Sequence, residues 1–323
     1  MAGAVGVVAV VAGEPQERLE RLGEALALQV RAELVVRVAA PVEDHARIRS
    51  AIRPEGAIRS VVVMANPTGH RSVGLNLALR GLSTELVCRV DARSRPGADH
   101  VARCVSRLTA DPTIGVVGGH QVPVPGEGRV VARSIARVLA DPVVAGGAAY
   151  RRRSSSGDVD TVYLGAFRTA ELVAVGGWAD DLASNEDFEL CQRYLAAGQR
   201  VWLEARLDVD YESRVRVRDL WAQYAAFGSA KVRYWQRDGF RPAPRQLVGL
   251  AGPWLGLLAA VGLGVWHPGL AGAGALLACA VLLAADARRP GTAGLGVRLT
   301  AALLTPVPAM AFAGGALPAL VRS

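Results

Sequence analysis

Unbroken apolar runs and stretches of helical period alternate along the first 120 positions of the chain. Val5–Ala12 is continuous and rich in valine, the pattern of a strand buried on both faces. Leu19, Leu22, Leu26 and Val30 follow at helical spacing across Pro15–Val30. Further runs predict strands at Leu34–Val38, Ile58–Met64, Leu86–Val90 and Ile114–Val117, with helices over Val42–Arg53, Gly69–Gly81 and Asp99–Ala110 between them. Such alternation predicts an α/β fold, a mostly parallel sheet with helices on both faces. Ligands of these sheets bind at the carboxyl ends of the strands, so the loop beginning at Asp91 is the first place to look for chemistry.

Beyond residue 120 the pattern loosens. A helix is expected over Gly126–Ala140, a Gly/Arg/Ser-rich loop over Gly146–Ser156 and a strand over Asp160–Phe167. Asn185–Ala197 has helical spacing and stops at Gly198, and Val201–Leu203 and Val209–Tyr211 read as short strands. Arg218–Gly239 is a helix carrying Trp221, Tyr224, Lys231 and Trp235, with Arg214, Arg216, Arg241 and Arg245 beside it. Basic flanks around an aromatic stripe suit a helix lying at a membrane surface. Three uncharged stretches then follow: Leu247–Trp266, Gly269–Ala285 and Leu299–Val321. The first and last have the length that spans a bilayer and the middle one is short for it. Arg241, Arg245, Arg288, Arg289 and Arg298 sit where a multi-pass chain would keep its N-terminal part in the cytoplasm.

Composition sharpens this picture. Of 323 residues 51% are hydrophobic and 20% charged, which excludes a disordered chain. The net charge is +8, yet Lys231 is the sole lysine, and no nucleic-acid recognition motif accompanies the arginines. Four cysteines without CxxC pairing read as reduced, buried residues. Ala2–Ala12 lacks a basic leader and ends at Glu14-Pro15, so it reads as a strand and not a secretory signal. A Walker-type loop, a GxGxxG fingerprint after the first strand, HExxH and GxSxG are all missing.

Two acidic sites remain. Asp91 stands in Arg89-Val90-Asp91-Ala92-Arg93-Ser94, and Asn185-Glu186-Asp187 opens a helix. Alone, the first reads equally as a turn cap and the second as helix-dipole partners. Their order, with Tyr163-Leu164-Gly165-Ala166-Phe167-Arg168, Gly176-Gly177-Trp178 and Asp187-Phe188-Glu189-Leu190, resembles family 2 glycosyltransferases of the GT-A fold. The nearest likeness is to membrane-attached exopolysaccharide enzymes of the succinoglycan type. Gly146-Gly147-Ala148-Ala149-Tyr150-Arg151 and Gln223-Tyr224 with Gly228 and Lys231 add further landmarks. The resemblance implies a GT-A-like domain over 1–212, a basic aromatic interfacial helix over 213–245 and a transmembrane region of about three helices over 246–323.

It implies roles as well. Asp187, with Glu186 beside it, would deprotonate the acceptor hydroxyl. Asp91 would hold the donor diphosphate or a divalent metal, Mg2+ or Mn2+, with Glu14, Arg93 and Arg151 on the same donor side. Gly165, Ala166, Phe167, Gly177 and Trp178 would meet the sugar or acceptor, and Trp221, Tyr224, Lys231 and Trp235 the membrane interface. The expected activity is inverting transfer from a nucleotide-sugar donor to a lipid-linked or polysaccharide acceptor at the cytoplasmic membrane face. There are departures from the family pattern. Arg93 replaces the second acid of the DxD-like element, no acid stands at Val38-Ala39-Ala40, and Gln223-Tyr224-Ala225-Ala226-Phe227 lacks the Arg and Trp of QxxRW. Two outcomes stay open: arginines neutralise the diphosphate without a metal, or the chain is a catalytically degenerate scaffold subunit of a polysaccharide-synthesis complex.

Overall fold

The computed structural model describes residues 3–321 except 142–143, 145–147, 153–155, 183, 240–241, 243, 288 and 290. Gly146, Gly147, Arg153, Arg241 and Arg288 therefore lie outside the described residues, as does the Arg245 side chain. The chain divides into two compact units, residues 1–122 with 149–211, and residues 123–148 with 212–323. Segment 123–148, expected within the first domain, thus clusters with the C-terminal part, which also takes in the 213–245 helix.

The first unit follows the apolar runs. Strand β1 (Val5–Val10), helix α1 (Gln16–Ala27), β2 (Leu34–Ala40), α2 (His45–Ala51), β3 (Ile58–Ala65), α3 (Arg71–Leu79) and β4 (Leu86–Asp91) wind a parallel β3-β2-β1-β4 block. In β1, Val7 packs with Val36, Val38, Leu19, Leu22 and Leu26 on one face, and Val8 with Leu75, Ala78 and Val87 on the other. Burial on both faces is why no polar residue interrupts that strand. Each leucine so buried contributes about 1.5–3 kcal/mol before ordering costs.

The rest of this sheet is not parallel. The chain runs through β5 (Ser94–Pro96), α4 (His100–Ala110) and β6 (Ile114–Val124), then into the second unit through α5 (Val130–Leu139). It returns as β7 (Gly157–Asp158), β8 (Tyr163–Arg168), α6 (Thr169–Ala174), α7 (Glu186–Ala196) and β9 (Arg200–Glu212). Strand β8 is antiparallel to both β4 and β6, and β9 is antiparallel to β5 and β7, so the nine-stranded sheet is mixed. Beside the register shift between Val117 and Gly119 of β6, Leu164 of β8 is held at φ +51°, a strained value for a buried leucine.

The second unit is helical: α5 with α8 (Val217–Asp238), α9 (Pro244–Trp266), α10 (Pro268–Ala287), α11 (Leu295–Leu304) and α12 (Val307–Val321). Among the described residues one stretch, Leu295–Val321, is long and apolar enough to cross a membrane, and Gln246–Gly262 is a shorter apolar helix. The expected count of three spans is therefore not reproduced. Helix α8 also departs from a free interfacial helix. A Cβ on Gly228 would sit 2.0 Å from the Phe312 carbonyl oxygen, and one on Gly315 2.0 Å from that of Ala225, so α8 and α12 touch backbone to backbone. Tyr224 packs with Ile135, Leu139, Leu220 and Ala311, Lys231 and Trp235 are buried, and only Trp221 of the four expected interface residues is exposed.

Candidate active site

Asp91 closes β4 at the carboxyl edge of the sheet, and Arg89 lies two residues back on the same face of the strand. Arg89 is 1% exposed, an arginine inside the core. Its guanidinium donates through Nε and Nη2 to Asp91 Oδ1 (3.1 and 3.0 Å), through Nη2 to Glu186 Oε1 (2.9 Å), and through Nη1 to Asp187 Oδ1. Arg71, the first residue of α3, comes within 3.6 Å of Asp91 Oδ2 and 3.8 Å of Glu186 Oε1 with its side chain about half-exposed. The two acidic motifs, far apart in sequence, thus converge on two arginines.

Local backbone explains how. Asn185 takes φ +63°, a left-handed value that asparagine tolerates, and turns the chain so that Glu186 and Asp187 open α7. Acids there face the positive end of the helix dipole. The preceding turn is pinned more tightly. Gly176 and Gly177 adopt φ +88° and +68°, open to glycine alone at little cost. The Trp178 backbone exchanges two hydrogen bonds with the Asn76 side chain, N–H to Oδ1 at 2.9 Å and C=O from Nδ2 at 2.7 Å. Arg193, paired with Glu189 one helical turn back, donates to the Val175 and Gly177 carbonyls. The Trp178 indole meets Phe167 edge to face at 5.8 Å, and its Nε1–H donates to Asp187 Oδ1 at 3.1 Å.

Electrostatics separate the acids. Burial, reinforced by the negative charges of Glu186 and Asp91 and opposed by Arg89 and the Trp178 N–H, pushes Asp187 up to about 6. For Asp91 burial also pushes upward, but Arg89 and then Arg71 outweigh it and hold the carboxyl below its usual range. Asp187 keeps 26% of its side chain exposed, against 6% for Glu186, so it is the member of the pair that a second molecule can reach. It borders a narrow crevice with Val116, Val162, Gly165, Phe167 and Cys191.

Other expected residues fall differently. Glu14 faces Arg93 at 3.7 Å and is ion-paired with Arg18, so the loop after β1 and the Asp91 loop do meet. Arg151 stacks over Tyr150 (5.4 Å), and Tyr150 in turn on Tyr163 (6.3 Å), whose hydroxyl is pushed up by burial and then by the charge of Asp91. Gly165, Ala166, Phe167, Gly177 and Trp178 are all buried. Trp178 in particular offers no open ring for a sugar; its polar end is turned onto Asp187. A Cβ on Gly165 would strike the Phe167 ring at 2.6 Å, and one on Gly177 Asn76 Oδ1 at 2.3 Å, so these glycines serve internal packing. Arg89, Arg71, Asn76 and Arg193 carry the site and were not singled out by motif.

No family model matches the chain. It is 25% identical over 229 residues to the succinoglycan biosynthesis protein ExoA of Rhizobium meliloti (strain 1021), covering 68% of each chain. Among solved structures it is similar to the mannosyltransferase PcManGT from Pyrobaculum calidifontis in complex with GDP-Man and Mn2+. That likeness has a TM-score of 0.68 at 17% identity and covers 100% of this chain and 88% of that one. The chain is thus similar in sequence to a succinoglycan biosynthesis protein and in fold to a mannosyltransferase. The structural likeness gives it the GT-A fold, and Asp91 ends β4 at the carboxyl edge of the sheet, the edge at which open α/β sheets bind ligands.

The side chains around Asp91 do not suit a divalent cation. Asp91 Oδ1 is already taken by two N–H groups of Arg89, and Arg71 stands over Oδ2. Among the described residues no group of three or more His, Cys, Asp or Glu side chains could hold a metal ion. Asp91, the one residue expected to hold Mg2+ or Mn2+, therefore has both carboxylate oxygens facing guanidinium groups.

Proposed function

We propose that the chain transfers a sugar from a nucleotide-sugar donor to a hydroxyl of a lipid-linked or polysaccharide acceptor, with inversion, at the cytoplasmic face of a membrane. The carrying observation is the Asp187 carboxyl, partly exposed at the carboxyl edge of the sheet and poised near 6. A general base works best when its affinity for protons lies near working pH. The Asp187 carboxylate takes the proton of the acceptor hydroxyl while that oxygen bonds to the anomeric carbon. The bond from that carbon to the diphosphate oxygen breaks, and the nucleoside diphosphate leaves with the electron pair. A single displacement inverts the centre. Arg71, half-exposed over Asp91, and Arg93 supply positive charge for the departing anion. Support for the donor class comes from the GDP-Man of PcManGT, and for the product class from the succinoglycan role of ExoA.

Membrane attachment is part of the same proposal. It rests on the Leu295–Val321 stretch and on the exposed apolar side chains of α9, among them Val248, Leu255, Leu258 and Val265. Calorimetry against UDP-, GDP- and dTDP-sugars tests the donor, and turnover by Asp187→Asn with whichever donor binds tests the base. A bound donor and a loss of about 10²–10⁴-fold in kcat are expected. Retained turnover overturns the base, and binding by no donor favours the scaffold reading.

A further inference from the structure

The two oxygens of Asp187 are not equivalent. Oδ1 accepts from both Arg89 Nη1 and Trp178 Nε1, whereas Oδ2 accepts no hydrogen bond among the described residues. Both donors are 1% exposed and neither can reach a substrate. Each is fixed from behind. Arg89 is spread over Asp91 and Glu186, and Trp178 is locked by Asn76 from α3, by Arg193 from α7 and by the Phe167 ring from β8. A carboxylate held at one oxygen by two donors on separate rigid elements has lost its rotation about χ2.

We infer that Trp178 and Arg89 are positioning residues which together saturate Asp187 Oδ1 and so present Oδ2 alone to the acceptor hydroxyl. The inference rests on the reading of Asp187 as base and adds which oxygen acts and what aims it. A near-attack geometry must be held within a fraction of an ångström, and a loose carboxyl forfeits it. The arrangement also gives the Gly176-Gly177-Trp178 turn a purpose other than sugar contact. Its glycines admit the backbone that turns the indole N–H inward, and its tryptophan supplies a neutral donor that leaves the charge of the carboxylate intact. The groups facing Asp187 are Arg89 and Asp91 from β4, Glu186 and Cys191 from α7, Arg71 from α3, and Trp178. Arg89 and Trp178 are the two among them that favour its ionised form most directly.

The test uses the full chain in lipid nanodiscs with 15N-labelled tryptophan. One indole cross-peak, identified by its loss in Trp178→Phe, is expected to move with pH around a midpoint near 6 and to stand still in Asp187→Asn. A Trp178 signal that ignores pH, or that moves equally in Asp187→Asn, overturns the inference without touching the assignment of the base. Kinetics form a second arm, with the donor found by calorimetry. Trp178→Phe and Arg89→Lys are expected to lower kcat by about 10–100-fold with donor KM little changed, because aim is lost and binding is not. Trp178→Phe also shifts the acid limb of the profile to higher pH, since it removes a donor that lowers the proton affinity of Asp187, whereas Arg89→Lys keeps the positive charge and shifts it less. Trp178→Phe keeps an aromatic ring against Phe167, so folding is preserved in at least that variant. A folded Trp178→Phe whose acid limb sits in the wild-type place shows a merely structural tryptophan and sinks the proposal. If Asp187→Asn keeps its turnover, the base assignment is what fails, and the indole titration still reports whether the contact exists.

Discussion

Removing the Asp187 charge is expected to cost activity and add stability. An ordinary aspartate near 3.8 in the unfolded chain becomes one near 6 in the folded chain, because burial beside Glu186 and Asp91 disfavours the ionised form more than Arg89 favours it. A shift of that size is worth about 3 kcal/mol. Solvent reaching the exposed quarter of the side chain screens part of it, which leaves about 1–3 kcal/mol. The sign follows from linkage. The folded-state affinity is raised, so the stability it lends is fully present below the unfolded value near 3.8 and is lost as pH rises through about 6. Above that the native protein carries a disfavoured charge, whereas Asp187→Asn carries none and leaves Arg89 paired with Asp91 and Glu186. Thermal melts in detergent should therefore show Asp187→Asn several degrees above wild type at about pH 7.5, and the gain should shrink toward about pH 4.5. The same variant should lose turnover. A melt at neutral pH below that of wild type would mean the Arg89–Asp187 pair is a net stabilising ion pair, and a base held under electrostatic tension would be refuted.

Three more outcomes follow from other parts of the molecule. Asp286, fully buried, takes hydrogen bonds from Arg137, Arg289 and Arg298; Asp286→Asn should weaken the helical unit by about 3–5 kcal/mol, read as lowered Tm and faster proteolysis of residues 212–321. Gly315→Leu would drive a side chain into the Ala225 carbonyl and should part α8 from α12, with a loss of about 1–3 kcal/mol or more. His100 is buried and pushed down to about 4, opposed only in part by Asp99. Its folded affinity is depressed, so the stability it lends is complete above about pH 6.5 and falls as pH drops toward 4; His100→Gln should flatten that acid slope by up to about 3 kcal/mol.

Much of the first unit was legible from its unbroken apolar runs, which are buried on both faces in β1 and only partly buried in the edge strand β3. Val5–Ala12, Leu34–Val38 and Ile58–Met64 correspond to β1, β2 and β3 to within two residues at each end. Strand β9 was not legible as one element. Val201–Leu203 and Val209–Tyr211 read as two short strands, whereas Arg206 and Asp208 between them are the solvent-facing positions of one 13-residue antiparallel strand. The antiparallel placement of β8 leaves no local trace either, since pairing partners are chosen by tertiary packing. At the site the acids could be read and their keeper could not. Arg89 is one charge in the apolar run Leu86-Val87-Cys88-Arg89-Val90, and its partners Glu186 and Asp187 lie almost a hundred positions away. The available signal was a charge inside a buried strand, two residues before an acid and so on the same face, which requires a buried countercharge.

That countercharge bears on the departures from the family pattern. Asp91, Glu186 and Asp187 bring three negative charges to the sheet edge, and Arg89 and Arg71 bring two positive ones. With all three acids ionised the cluster is negative by one, an unwelcoming neighbour for an anion that is gaining charge. On the proposed mechanism Asp187 takes up a proton in the step that sends the diphosphate away, so the cluster becomes neutral as the leaving group turns more negative. A dication would serve the same end from outside, but the guanidinium of Arg89 already occupies the point where the three carboxylates converge. On this proposal Arg93 in place of the second DxD acid is no defect, because guanidinium groups supply the countercharge. Turnover should accordingly persist in excess chelator, and strict dependence on Mn2+ or Mg2+ would refute this charge balance.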